Sequence, residues 1–338
     1  MEKIDELVCS QFGKLKSIGE LAEFLGSIQD KNLFCKALFY YVGVYLSRTS
    51  LPKTTRFEPS AFLSHDFSAI LYDRFPVIFM GTNAWCLKPL SSVDVLMDKM
   101  SVFYNHLSRL RTLFGSTPVY FLIVPEKDRI VNSLYFNDNR FEVIDNCLFS
   151  LKNRLLELDV QCFYDDIVQS QLGNKSSSEY GYFDSHLPSS VYVDMFSMVM
   201  QKIDKNFDAH QHVVEYEKSL LFGDLTCKFI AKKNPGEDFC FPLVGNTETK
   251  LVSGDDTFRQ PLGETKQAFY NKNASLRKKL LILGDSHSSI YSQKKLTYLF
   301  STYFEETFFY WNPVGVRGDD FITDVDCVIM EISQRFVF

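Results

Sequence analysis

Leu280-Leu281-Ile282-Leu283-Gly284-Asp285-Ser286-His287-Ser288 is the stretch whose reading decides the fold. Four aliphatic residues in a row, closed by a glycine, suit a β-strand covered on both faces, the kind found in parallel sheets. A helix is expected after it, through Leu296 to Phe300. In an open α/β sheet, ligands gather at the carboxyl ends of the strands. Ser286 would therefore stand at such an end and at a helix N-terminus, where backbone N–H groups favour negative charge. The same tripeptide also reads as a helix N-cap, because Asp and Ser are favoured there without any chemistry.

Working outward, the same alternation recurs. Val77-Ile78-Phe79-Met80 is a short apolar run ending at Gly81, a predicted strand. Ser91 to Phe114 is the clearest helix, with Val93, Leu96, Met97, Met100, Phe103, Tyr104, Leu107, Leu110 and Leu113 on one face and Gly115 as its stop. Val119 to Val124 predicts another doubly covered strand, closed by Pro125. Helices are expected over Phe141–Leu158 and Val191–Ile203, and strands over Val160–Tyr164, Phe308–Trp311 and Cys327–Ile332. This order predicts an α/β fold with a doubly wound, mainly parallel sheet. Residues 227–275 carry Asn234-Pro235-Gly236, Gly245-Asn246 and Gly254-Asp255-Asp256, turn chemistry that reads as a loop-rich insertion.

Residues 1–70 differ from the rest. Leu7, Phe12, Leu15, Ile18, Leu21 and Leu25 recur at helical spacing, and Pro52 and Pro59 bound an expected linker. The segment reads as a helical N-terminal extension preceding an α/β domain over 71–338, with a role as a cap or as a partner-binding surface. Its most apolar part, Leu33 to Leu46, contains Lys36 and is too short to span a bilayer; it reads as a buried helix, with peripheral membrane attachment as the other reading. The acidic start, Met1-Glu2-Lys3-Ile4-Asp5-Glu6, does not read as a secretory signal, so a cytoplasmic location is expected. A formal net charge of −6 argues against non-specific nucleic-acid binding, which needs a basic surface. None of the eight cysteines forms a Cys-x-x-Cys pair, which disfavours a zinc ribbon or a thioredoxin-like site and leaves reduced, buried thiols as the expectation.

A serine hydroxyl is a weak nucleophile without a base, and the base needs an orienting carboxylate. Gly181-Tyr182-Phe183-Asp184-Ser185-His186-Leu187-Pro188 offers both, since Asp184 and His186 stand two apart in a predicted loop. Asp184 would fix the imidazole tautomer and leave the other ring nitrogen for Ser286. Alone, an Asp-x-His pair is an ordinary feature of polar loops; beside a strand-end Gly-Asp-Ser it gains meaning. His210-Gln211-His212 lacks a further nearby ligand and reads as solvated surface rather than a metal site. Lys127 reads as a salt-bridge partner or an anion contact, and Arg277-Lys278-Lys279 as a solvated strand edge. Trp85 and Trp311 read as buried residues or as platforms for a sugar ring.

Gly284-Asp285-Ser286 with Asp184-Ser185-His186 resembles the SGNH hydrolase superfamily. The Asp/His loop precedes the serine by about one hundred residues. That order resembles the circularly permuted branch of the alginate O-acetyltransferases. Other segments are similar in sequence and in order. Gly81-Thr82-Asn83-Ala84-Trp85-Cys86-Leu87 resembles the family's Gly-x-x-Gly-Trp-Leu-Phe, and Val124-Pro125-Glu126-Lys127 its strand-end Pro-x-Lys. Phe222-Gly223-Asp224-Leu225 resembles its Gly-Asp-Leu, and Glu331-Ile332-Ser333-Gln334-Arg335 its closing Glu-x-x-Glu-Arg. The family's Asp-Thr-His-Trp is Asp184-Ser185-His186-Leu187 here, so its aromatic residue is replaced. The likeness runs from about residue 75 to the C-terminus.

The resemblance implies a flavodoxin-like sheet and a catalytic triad of Ser286, His186 and Asp184. It also implies an oxyanion hole built from the Ser286 N–H with donors among Asn312, Gly315 and Gln334. His287, Tyr182, Trp311 and Arg335 are the residues expected to wall the substrate site, although Arg335 reads equally as a structural ion-pair partner. The implied activity is transfer of an acyl group, expected to be acetyl, to a carbohydrate hydroxyl. No tightly bound cofactor is implied, acetyl-CoA fits as a donor, and residues 1–70 would then meet a membrane-associated or glycan-biosynthesis partner. A carbohydrate esterase would use the same triad with water as acceptor, and a non-catalytic glycan-binding protein would keep the fold without the triad.

Overall fold

The structure is a computed structural model; it describes residues 55–57, 67–72, 75–80, 83–86, 93–126, 140–173, 186–221, 237–245, 248–254, 266–289, 294–312 and 322–337. Its centre is a seven-stranded sheet in the order β6-β5-β13-β11-β12-β10-β9. These strands are β5 (Val119–Val124), β6 (Val160–Cys162), β9 (Thr249–Ser253), β10 (Lys266–Asn271), β11 (Leu276–Gly284), β12 (Phe304–Trp311) and β13 (Cys327–Ser333). The first five in sheet order run parallel, and β10 and β9 complete the edge antiparallel. A four-stranded antiparallel sheet, β1 (Thr55–Phe57), β2 (Phe67–Tyr72), β3 (Phe75–Met80) and β4 (Asn83–Cys86), and a two-stranded one, β7 (Val213–Leu221) with β8 (Glu237–Val244), lie outside it.

The apolar runs explain the layering. Successive side chains of a strand face opposite ways, so each continuous run feeds two cores. Phe121, Ile123, Leu281, Leu283, Val328, Met330 and Ile332 join one core, with α1 (Val93–Phe114) and α2 (Arg140–Glu157). Leu122, Val124, Leu280, Ile282, Cys327 and Ile329 join the other, with α4 (Ser189–Ile203) and α6 (Leu296–Tyr303). Helices thus cover both faces of a mainly parallel sheet. Three shorter helices complete the described set: α3 (Tyr164–Gly173), α5 (Ala209–His212) and α7 (Gln334–Val337).

Several expectations need correction. The stretch 227–275 holds β8, β9 and β10, where a loop-rich insertion was predicted. In β10 the buried residues are Gln267, Phe269 and Asn271, a two-residue alternation that identifies a strand with one covered face. Thr55–Phe57 pairs with β2 in the segment expected to be linker, and the boundary at residue 70 falls within β2. The helical extension is otherwise an expectation about residues 1–54 and 58–66, which lie outside the described residues. In α1, Phe114 is buried and Leu113 exposed, because the Met100, Phe103, Leu107, Leu110 series continues to Phe114. Gly115 ends that helix at φ +56°, as a C-terminal glycine does. Tyr164 opens α3 rather than closing β6.

His212 is not solvated surface. Its ring packs among Phe196, Phe207 and Tyr303, with Nε2 bonded to the Thr302 hydroxyl at 2.9 Å. Among the described residues no group of three or more His, Cys, Asp and Glu side chains is placed to hold a metal ion, and no helix is long and apolar enough to cross a membrane.

Two outcomes follow from this packing. Leu281, fully buried in the central strand, should cost about 2–5 kcal/mol when cut to alanine, whereas Leu251→Ala on the exposed edge strand should cost well under 1 kcal/mol, both read by urea unfolding. Burial pushes the His212 imidazole from 6.5 down to about 4, so the folded protein holds it neutral while the unfolded chain takes a proton. Stability should therefore be intact above pH 6.5 and fall as pH drops toward 4, and His212→Gln should lose stability less steeply over that window.

Candidate active site

Parallel pairing brings the carboxyl ends of β5, β13, β11 and β12 to one edge of the sheet. Register aligns Gly284 with Trp311, Leu283 with Met330 and Ser333 with Val124. The chain leaves β11 at Gly284 and enters a turn over Ser286–Ser288. Both the Ser288 and Ser289 N–H groups donate to the Asp285 carbonyl, at 3.1 and 2.9 Å. The Asp285 side chain caps this turn: its Oδ1 accepts the His287 N–H at 2.9 Å. The described helix α6 begins only at Leu296, so Ser286 sits in a capped turn and not on the first turn of that helix. Within 285–289, Ser286 alone is half-exposed; Asp285, His287, Ser288 and Ser289 are buried.

The turn is held from below by β13. Ser333 donates its N–H at 2.8 Å and its hydroxyl at 2.5 Å to Asp285 Oδ2. Glu331 Oε2 accepts the Asp285 N–H at 3.0 Å and the Ser288 hydroxyl at 2.8 Å. Gly284 lies directly on this carboxyl: a Cβ there would fall 2.8 Å from Glu331 Oε2 and 2.8 Å from Ser288. Glycine is needed for that close approach. From the α6 side, buried Lys295 donates from Nζ to the Ser286 carbonyl at 2.9 Å, and the Thr297 hydroxyl bonds the Ser288 carbonyl. The geometry leaves the Ser286 N–H with no hydrogen-bond acceptor among the described residues.

The charges under the turn are unequal. Burial raises the Asp285 carboxyl, but the His287 charge and the hydrogen bonds from His287 and Ser333 outweigh it and hold it below the usual range. Burial, then the Asp285 charge, pushes the Glu331 carboxyl well above the usual range.

His186 reaches this turn from the other side. Leu187, next to it, is buried in the second core, and Pro188 opens α4, whose first turn is fixed by the Val191 N–H to Pro188 carbonyl bond. The His186 ring meets the His287 ring edge-on, with centroids 5.2 Å apart. Tyr192, one turn into α4, places its hydroxyl 2.7 Å from His287 Nδ1. The histidine segment and the serine turn are thereby joined through His287, immediately after Ser286.

The other expected site residues are distributed as follows. Trp311 is half-buried at the end of β12, level with Gly284. Asn312 is buried, and its backbone N–H donates to the Gly284 carbonyl at 3.1 Å. Gln334 is buried with Oε1 accepting from the Tyr164 hydroxyl at 3.2 Å and the Glu126 N–H at 3.4 Å, a tie between the ends of β13, β5 and β6 that leaves only its Nε2 to donate. Arg335 lies in α7, with its side chain outside the described residues, and Asp184, Tyr182, Gly315 and Lys127 lie outside them altogether. Tyr192 and Lys295 were not singled out from the sequence, and Ser333 stood out only within a motif. Glu331 was noticed only within a motif, although a carboxylate inside the apolar run Cys327–Ile332 is itself a signal, since charged residues are seldom buried without a purpose.

No protein-family model matches the sequence, and no curated protein matches it. Solved structures do. A DHHW family protein from Eubacterium siraeum aligns over 80% of this chain and 93% of its own, at 14% identity and a TM-score of 0.54. PatB1 of Bacillus cereus with a sulfonyl adduct aligns over 77% of this chain and 97% of its own, at 14% identity and a TM-score of 0.52. The O-acetyltransferase domain of Pseudomonas putida AlgJ is a looser match, 11% identical over 77% of this chain and 91% of its own, with a TM-score of 0.45. The chain is similar in fold to the DHHW family protein and to PatB1, and identities this low speak to the fold alone.

Proposed function

We propose that this chain is a serine-dependent O-acyltransferase that moves an acyl group, acetyl by preference, onto a carbohydrate hydroxyl. The observation that carries the reading is the half-exposed Ser286 in a capped turn at the carboxyl edge of a parallel sheet, with the His186 imidazole brought against the residue beside it. The fold shared with PatB1, known with a sulfonyl adduct, supports the same reading. So does the SGNH-like pairing of Gly284-Asp285-Ser286 with Asp184-Ser185-His186, in the chain order of the permuted acetyltransferases.

The chemistry runs in two halves. His186 takes the Ser286 proton as the hydroxyl oxygen attacks the donor's acyl carbon. The tetrahedral oxyanion is met by the Ser286 N–H, with Asn312, Gly315 and Gln334 as the further donors. Collapse breaks the bond to the leaving group, which departs with the proton from His186, and the acyl ester stays on Ser286. A sugar hydroxyl then gives its proton to His186 and attacks that ester; collapse releases the acylated sugar and returns the proton to Ser286. Asp184 steadies the imidazolium in both halves. His287, Tyr182, Trp311 and Arg335 form the walls of the acceptor site. The donor is an activated acyl ester such as acetyl-CoA, used as substrate and not as a resident cofactor.

A sulfonyl fluoride or an activated acetyl ester tests this directly. Intact-protein and peptide mass spectrometry should place one adduct on Ser286, absent from Ser286→Ala. His186→Ala should slow its formation by about 10²–10⁴-fold. Labelling of Ser286→Ala at the wild-type rate would refute the assignment. With a glycan acceptor present, acylated glycan is the expected product; free acid alone would mark an esterase.

A further inference from the structure

Two carboxyl groups lie against each other under Ser286, and neither reaches solvent: Asp285 is 0% and Glu331 1% exposed. Their hydrogen bonds are unevenly shared. Asp285 accepts three, from the His287 N–H and from the Ser333 N–H and hydroxyl. Glu331 accepts two, from the Asp285 N–H and the Ser288 hydroxyl, and both end on Oε2. Its other oxygen, Oε1, is buried and has no donor among the described residues.

Two charged carboxylates do not share a dry site; one keeps a proton. The hydrogen-bond count decides which. Asp285 has donors on both oxygens and His287 beside it, so it keeps the charge. A proton on Glu331 Oε1 turns that orphaned acceptor into a donor, with the neighbouring Asp285 carboxylate to receive it, while Oε2 goes on accepting two bonds. Every buried polar atom of the pair is then satisfied. We infer that Glu331 is a neutral carboxylic acid that positions the nucleophile turn, gripping Asp285 at its N–H and its carboxylate and Ser288 at its hydroxyl, with Gly284 seated on the acid. This rests on the acyl-enzyme reading only for its consequence, the aim of Ser286.

The surroundings agree in sign. Burial and the Asp285 charge both hold the proton on Glu331. Other charged and titratable groups facing the turn are His287 on the turn itself, Lys295 ahead of α6, and His186 and Tyr192 from the α4 side. Lys295 is committed to the Ser286 carbonyl. A group whose folded pKa is raised weakens the fold as pH climbs, because the unfolded chain ionises from about pH 4.5 upward while the folded one does not.

The test uses the full chain with E331Q and E331A. The glutamine amide reproduces the neutral acid, accepting through oxygen and donating through nitrogen to Asp285. E331Q should keep the Ser286 sulfonylation rate within about threefold of wild type, and E331A should lower it by at least about thirtyfold. The melting temperature of E331Q should rise relative to wild type as pH goes from about 5 to 8. Infrared difference spectra should show a protonated-carboxyl carbonyl band in the wild type at neutral pH, missing from E331Q; this measurement stands even if E331A does not fold. Loss of labelling in E331Q equal to that in E331A, or absence of the band, would overturn the inference. A wild type that shows the band but takes no label at Ser286 would sink the acyl-enzyme reading and leave the neutral acid in place.

Discussion

Asp285 binds the end of one central strand to the end of the next. Its carboxylate takes the Ser333 N–H and hydroxyl from β13, while its own N–H rests on Glu331 of the same strand. Everything at the candidate site is referred to that junction. The capped turn follows from it, because the same carboxylate holds the His287 N–H. The outward display of Ser286 follows in turn, since the residues on either side of it are buried. Position is thus set by hydrogen bonds from a sheet whose central strands are buried on both faces, the rigid support that a reactive group needs.

That arrangement carries a cost. Burying carboxyl groups is expensive, and breaking such a cluster by removing one member costs more than the cluster contributes to stability. Proteins retain perturbed ionisable groups mainly where they do chemistry or hold a group that does. His212 shows the contrast. It too is pushed far from its usual pKa, yet it is wrapped by Phe196, Phe207 and Tyr303 and bonded to Thr302, so its shift reports packing. What separates the two cases is the neighbour: Asp285 adjoins a half-exposed serine, and His212 adjoins a core.

The parts of the fold that the sequence displayed are those where one physical constraint dominates. Leu280–Leu283, Val119–Val124 and Cys327–Ile332 are strands because runs covered on both faces are nearly all apolar, the buried Glu331 being the exception. The helix Val93–Phe114 was legible from its stripe and its terminal glycine. Where constraints compete, reading failed. Residues 249–271 carry turn residues between two short strands, and the alternation of Gln267, Phe269 and Asn271 hides because the buried members include an amide at each end. The helix expected through Leu296 to Phe300 is present, but Ser286, expected at a helix N-terminus, stands in a turn, because Asp285 caps a turn with the same residues that would cap a helix. His212 looked like surface because a histidine in a polar run does not announce the aromatic rings that the fold brings to it. At the site, Ser286 and His186 were legible as residue types with a shared chemistry. Tyr192, Lys295 and Ser333 were not, because their roles are bonds to backbone or ring atoms distant in the chain, and periodicity carries no trace of those.

The account stands on the meeting of Ser286 with His186. A crystal structure of the protein gives the distance from Ser286 Oγ to the nearer ring nitrogen of His186. The expected value is about 2.6–3.5 Å, directly or after sulfonylation has drawn the ring to the adduct. A ring turned away from the serine turn in both states, with its nitrogens bonded elsewhere, would contradict the account.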